Sequence, residues 1–179
     1  MKTFKQFFTE QTGGIAILPG GFKPPHKGHF EALRHLIKSS KATKAIVYIG
    51  NSPRDNITAD QSQAIWSMYA KHVGVPVDIM IAPVTPVKSV YEYVDEHSNT
   101  PIAVGAGEED QARYSFFMKH REKYPMVQIV TIPPQFGRIS GTATRQKIAA
   151  KTDDALSFVP DEVRQSPHDL VTIREILGI

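Results

Sequence analysis

The sequence predicts an α/β fold: a doubly wound, five-stranded parallel sheet with helices on both faces. Three observations carry this. Short apolar runs alternate with stretches whose apolar residues recur at helical spacing. The runs are nearly continuous in Val, Ile and Ala, as strands covered on both sides are, rather than alternating apolar and polar. The unusual loops, rich in Gly, Pro, His and Arg, all follow the carboxyl ends of these runs, the edge at which open parallel sheets bind ligands.

The elements follow in order. IAILPG after Gly13-Gly14 is the first strand, and HFEALRHLIKSS places Phe30, Leu33, Leu36 and Ile37 on one helix face. KAIVYIG is β-branched and continuous, a second buried strand. After NSPRDN, Thr58 and Gln61 form a capping box that opens a helix through Ile65, Met68, Tyr69 and His72. PVDIMIAP is the third strand, and Val87, Val90, Tyr91 and Val94 make the next helix face. PIAVGAG is the fourth strand, EEDQARYSFFMKHREKY a helix, MVQIVTIPP the fifth strand, and ISGTATRQKIAA passes from loop into another helix.

Three parts are expected: an amphipathic segment over 1–13, one domain over 14–163, and a C-terminal amphipathic helix over 164–179 that packs on the domain or on a partner. In the first part Phe4, Phe7 and Phe8 stand between lysines and polar residues, which suits a short packed helix or a detachable targeting segment. The segment resembles the leaders of some tailed-phage head proteins, which implies removal by a maturation protease or a role in assembly.

The 179 residues are 41% hydrophobic and 22% charged, an ordinary composition for one globular domain. The formal charge of +3 is too small to argue for a nucleic-acid binder, although a local anion site suits it. No apolar run approaches the ~20 residues that span a bilayer, so no membrane is expected. Absence of cysteine excludes a disulfide framework and a thiolate zinc site. A cytoplasmic location is expected, which becomes the host cytoplasm or the virion if a phage encodes the chain.

Two stretches carry chemistry. In GGFKPPHKGH, Gly20 and Gly21 let a ligand approach the main chain and Pro24 and Pro25 stiffen the path into the helix. A helix beginning near Gly28 presents free N–H groups and the positive end of its dipole, a seat for phosphate. His26 and His29, about one turn apart, reach that seat together as donors, and Lys23 and Lys27 add charge. Alone, such a histidine pair serves structure more often than catalysis, and no carboxylate completes a metal site. The second stretch, ISGTATR, puts Ser140, Gly141, Thr142 and Arg145 at another helix start. Alone it is a helix cap; with the histidine loop it makes a second phosphate clamp. Neither stretch is a GxGxxG fingerprint or a P-loop.

Together the two motifs resemble those of the HxGH-superfamily nucleotidyltransferases. Their loop GxFxPxHxGH is matched by Gly21, Phe22, Pro25, His26, Gly28 and His29, with a one-residue ambiguity because Pro24 also fits. Their motif ISxTxxR is matched by Ile139, Ser140, Thr142 and Arg145. The resemblance implies a Rossmann-like sheet and a reaction in which an acceptor phosphate attacks the α-phosphorus of a nucleoside triphosphate, usually with Mg2+, releasing pyrophosphate. It implies that His26 and His29 stabilise the transition state, with Ser140, Thr142 and Arg145 on the β- and γ-phosphates. Backbone from Gly20 to Phe22 then lies near the α-phosphate, with Lys23, Gly28, Gly105 and Gly141 beside the nucleotide.

ISGTATR is more similar to the adenylyltransferase branch than to the cytidylyltransferase branch, so ATP is preferred to CTP. The histidine loop looks most like that of nicotinamide-mononucleotide adenylyltransferases, with phosphopantetheine adenylyltransferases as the rival. Asn51 and Arg54, after the second strand, are acceptor-binding candidates against a reading as a solvated turn. Trp66 is a candidate to stack on the acceptor's ring against a packing role in its helix. Glu108, Glu109 and Asp110 either meet ribose hydroxyls or cap the next helix, and Arg113 either reaches phosphate or pairs with Glu109. The expected partners are a nucleotide, a phosphorylated small molecule and a second copy of the chain. The reading from another class is a catalytically silent phage structural protein.

Overall fold

A computed structural model describes residues 13–135 and 139–179. The expected N-terminal amphipathic segment lies outside them, apart from Gly13. Five strands are found: β1 (Ile15–Gly20), β2 (Lys44–Ile49), β3 (Val77–Ile81), β4 (Ile102–Ala106) and β5 (Val127–Thr131). They form one parallel sheet in the order β3-β2-β1-β4-β5. The chain leaves β1 in one direction for β2 and β3, then returns to its other side for β4 and β5. The order therefore reverses between β1 and β4, where the crevice of a doubly wound sheet opens.

Successive side chains along each strand face opposite ways, and both faces of the inner strands are apolar, whereas the edge strand β3 exposes Asp78 and Met80 on one face. Ala16, Leu18, Ala45, Val47 and Ala103 join one core with α1 (Lys27–Ser40), α2 (Ala59–Ala70) and residues near the C-terminus. Ile17, Ile46, Ile102 and Val104 join the other with α3 (Pro86–Glu96) and the segment after β4. The α/β sheet with helices on both faces is thus the fold found.

The caps agree with the residues that form them. Thr58 and Gln61 make the expected reciprocal box at α2, at 3.1 and 2.9 Å. The stretch after β4 departs from expectation. Instead of one helix through Tyr124, it forms a 3-10 segment (Glu108–Tyr114) and then the short α4 (Ser115–Lys119). Tyr114, Phe117 and Tyr124 are buried there, and Tyr91 stacks 4.3 Å from Phe117. Tyr114, the last residue of the 3-10 segment, and Phe117 of α4 enter the same core. Arg113 pairs with Asp110 at 3.0 Å, not with Glu109.

Beyond α5 (Gly141–Ala149) come α6 (Asp161–Arg164) and α7 (Pro167–Leu177). Ser166 caps α7 and Gly178 ends it in the left-handed conformation. Ile173 is fully buried, and Gln61 Nε2 donates to the Ile176 carbonyl at 2.7 Å, so α7 lies against α2. Among the described residues no helix is long and apolar enough to cross a membrane.

Candidate active site

The loops after β1 and β2 leave the sheet side by side. Gly20 stands opposite Ile49, and the Gly50 N–H donates to the Gly20 carbonyl at 2.9 Å. Phe22 turns back in the left-handed region (φ 50°) and lays its ring over Gly20, where a Cβ would come within 2.5 Å of it. Gly20 therefore makes room for the Phe22 ring. Gly21 is the open one, exposed and with nothing within 4 Å of where a Cβ would be.

His26 is the N-cap of α1, which starts at Lys27. The His29 N–H donates to His26 Nδ1 at 3.3 Å, and the His26 N–H donates to His29 Nδ1 at 3.2 Å. The rings stack with centroids 3.5 Å apart. This is a capping box built from two imidazoles, and it fixes their chemistry. A ring nitrogen that accepts a backbone N–H carries no proton, so both protons sit on Nε2. Burial reinforces the neutral form. It holds the His26 pKa down at about 4, against a smaller opposing effect of its backbone hydrogen bond. It also holds His29 well below the usual histidine range, with the His26 charge adding to the effect. The pair therefore offers two neutral Nε2–H donors rather than two cations.

The amides of this helix start are less free than the sequence predicts. The Lys27 N–H donates to the Phe158 carbonyl at 2.7 Å and that of His29 to His26, leaving the Gly28 amide as the unpaired one among the described residues. Gly28 is required by its neighbours: a Cβ there would lie 3.0 Å from Cε1 and Nδ1 of His26. Tyr69, buried in α2, braces the loop by donating to the Pro25 carbonyl at 3.1 Å.

Lys23 is buried, and its ammonium donates to the carbonyls of Gly21 (2.9 Å) and Gly50 (2.6 Å). Its charge thus pins the loops after β1 and β2 together, with one N–H left over among the described residues. Burial lowers its pKa, and the nearby Arg54 lowers it further. Arg54 is exposed, and its guanidinium has no partner among the described residues. Asn51 instead bonds to the Pro83 carbonyl at 2.8 Å, joining the loops after β2 and β3.

The late motif meets the histidine loop directly. Ser140 caps α5, its Oγ accepting from the Ala143 N–H at 3.1 Å. Arg145 reaches back from the first turns of α5. Its Nη1 donates to the Lys23 carbonyl and its Nη2 to Thr142 Oγ1, both at 3.2 Å. Its Nε donates to the carboxylate of Asp55. A Cβ on Gly141 would lie 3.1 Å from Arg145 Nη1, so this glycine makes room for the guanidinium.

Two candidates do not join the site. Trp66 is fully buried, edge-on to Phe22 and Tyr69, with its indole N–H unpaired among the described residues, and has no face open for a ligand ring. Gly105 faces the core, where a Cβ would lie 2.9 Å from Leu36 Cδ2; it is small for helix packing, not for nucleotide. One residue escaped the sequence reading. Asp55 stands next to Arg54, but nothing in NSPRDN shows that its partner lies ninety residues away. Among the described residues no cluster of three or more His, Asp or Glu is placed to hold a metal.

No protein-family model matches the chain, and no curated protein matches it by sequence. Solved structures do match. A bifunctional NMN adenylyltransferase/ADP ribose pyrophosphatase from Francisella tularensis, complexed with AMP and a manganese ion, superposes with a TM-score of 0.63 at 17% identity, over 93% of this chain. The chain spans only about half of that protein, 51%. Plasmodium falciparum nicotinic acid mononucleotide adenylyltransferase, complexed with APC, gives 0.61 at 12% identity over 90% of this chain and 96% of its own. A putative nicotinate-nucleotide adenylyltransferase from Vibrio parahaemolyticus gives 0.58 at 16%, over 86% and 97% respectively. At these identities the shared property is the fold.

Proposed function

We propose that this chain is a nucleotidyltransferase that moves AMP from ATP to a phosphorylated acceptor, nicotinamide or nicotinate mononucleotide by preference, and releases pyrophosphate. The observation that carries the reading is the imidazole capping box, whose two Nε2–H donors sit at the switch point of the sheet. Arg145 joins that loop to the second helix start. Structural neighbours that act on mononucleotides support the choice of acceptor.

In the proposed reaction an acceptor phosphate oxygen attacks the α-phosphorus. The bond from that phosphorus to the bridging oxygen breaks, and pyrophosphate leaves with the electron pair. No group on the protein forms a bond. The chain contributes position and charge stabilisation. His26 and His29 donate to oxygens whose charge grows, and being neutral they need no proton transfer. Arg145, Ser140 and the N–H groups of Gly141 and Thr142 hold the outer phosphates at the positive end of α5. Arg54, a cation near Lys23 with no partner among the described residues, receives the acceptor's phosphate. The described residues hold no cluster for a divalent ion, which would instead enter with the triphosphate and supply neutralisation of its charge.

The test is pyrophosphate release with ATP or CTP against nicotinamide mononucleotide, nicotinate mononucleotide and phosphopantetheine, alongside thermal unfolding with ATP. Turnover with ATP and a mononucleotide supports the proposal. CTP or phosphopantetheine as the better substrate would move it to another branch. No turnover and no protection by ATP would leave the silent structural reading.

A further inference from the structure

We propose that Asp55 is a positioning residue that orients Arg145 for the triphosphate. The inference rests on the function proposed above and goes beyond it. Arg145 has five N–H donors in a rigid plane. Three are engaged, by Asp55, by the Lys23 carbonyl and by Thr142 Oγ1. Among the described residues one N–H therefore remains on each Nη, and both nitrogens lie at the start of α5, against Gly141 and Thr142. That arrangement matches two oxygens of a phosphate, the bidentate geometry for which arginine is suited. Among the described residues Asp55 supplies the Nε contact and the one charged partner of the plane.

The carboxylate is held in a firm place. Asp55 and Asn56 both have positive φ, 47° and 65°, in a tight turn that Arg54 and Ile57 close with two 3.0 Å backbone bonds. Ile57, at 4% exposure, anchors the turn in the core. Among non-glycine residues Asn and Asp adopt such φ values most readily. Arg145 is itself mostly covered, its side chain 10% exposed, while Asp55 is 64% exposed. An exposed carboxylate adds little as a surface ion pair. Its effect here is expected in orientation, not in stability. The same turn carries Arg54, so the elements proposed to hold donor and acceptor phosphates share one short segment.

The experiment compares wild type, Asp55→Ala and Asp55→Asn by ATP titration calorimetry with Mg2+, by steady-state kinetics and by thermal unfolding without ligand. An asparagine carbonyl accepts the Nε–H without carrying charge. The alanine variant should weaken ATP binding and raise the KM for ATP by about tenfold, the size of one lost hydrogen bond to a charged group. The mononucleotide KM should stay within about twofold of wild type and the ligand-free Tm within a few degrees, as for a lost exposed ion pair. The asparagine variant should recover most of that loss. ATP binding unchanged or tightened in Asp55→Ala overturns the proposal, as does an asparagine variant as weak as the alanine one. A loss of ATP affinity matched by collapse of the ligand-free Tm overturns it too, by making the turn a matter of folding. Wild-type protein that binds no ATP overturns the functional reading and this inference together, whereas wild type that binds ATP while Asp55→Ala is unaffected overturns this inference alone.

Discussion

Acidification should destabilise the folded chain through His26 in a defined window. Its Nδ1 accepts the His29 N–H at 3.3 Å, and burial holds its pKa at about 4, against 6.5 for an unperturbed histidine. The unfolded chain therefore takes up a proton as pH falls through 6.5, while the folded chain resists until about 4. In that window the unfolded state binds more protons, so stability falls as pH falls; above 6.5 this contribution is complete and constant. The slope is about 1.4 kcal/mol per pH unit, which amounts to about 2 kcal/mol at pH 5 and about 3 kcal/mol by pH 4. His29 acts in the same direction. Carboxylates titrate in the lower part of the range, so the contribution must be isolated by difference. His26→Asn serves this purpose, because asparagine caps helices well and does not titrate. Urea unfolding of both proteins between pH 7.5 and 4.5 should give curves that run together above pH 6.5 and diverge below it, wild type falling faster. Parallel curves throughout would refute the capping-box account of the histidines.

Gly28→Ala should separate stability from activity. Helix propensity gains about 1 kcal/mol, offsetting the strained cap, while displacement of the His26 ring should lower kcat on the order of 100-fold; equal activity would mean the ring position is unimportant. Gly105→Ala should do the reverse, costing about 1–3 kcal/mol by overpacking against Leu36, with the KM for ATP unchanged in kinetics on the folded enzyme. A selective loss of ATP binding there would return Gly105 to the nucleotide site.

The sheet was legible because its strands are continuous apolar runs such as Ile15–Leu18 and Ala45–Ile49, buried on both faces. The start of α2 was legible because a capping box is local: Thr58 and Gln61 need only each other. The 3-10 segment after β4 was not, because the order of EEDQARY suits either helix and tertiary packing of Tyr114 and Phe117 decides. At the site, residue types pointed to His26, His29 and Arg145, but not to how they work. Sequence cannot show that each histidine accepts the other's amide, which sets tautomer and charge. Nor can it show that Gly20 serves the Phe22 ring, that Trp66 lies wholly in the core, or that Asp55 meets Arg145. Each depends on contacts between distant segments, or on where the chain turns.

The central claim is that two neutral imidazole donors stabilise adenylyl transfer. It is tested most directly by comparing wild type and His29→Ala with ATP and nicotinamide mononucleotide, following dinucleotide formation by mass spectrometry beside the melting temperature of each protein. Loss of one such donor is worth about 3 kcal/mol in the transition state, so kcat should fall about 100- to 1,000-fold. The melting temperature should move by only a few degrees, because the change removes one hydrogen bond and the ring contacts with His26 and Phe22 from the start of α1. Undiminished dinucleotide formation by His29→Ala, or none by wild type, would contradict the claim.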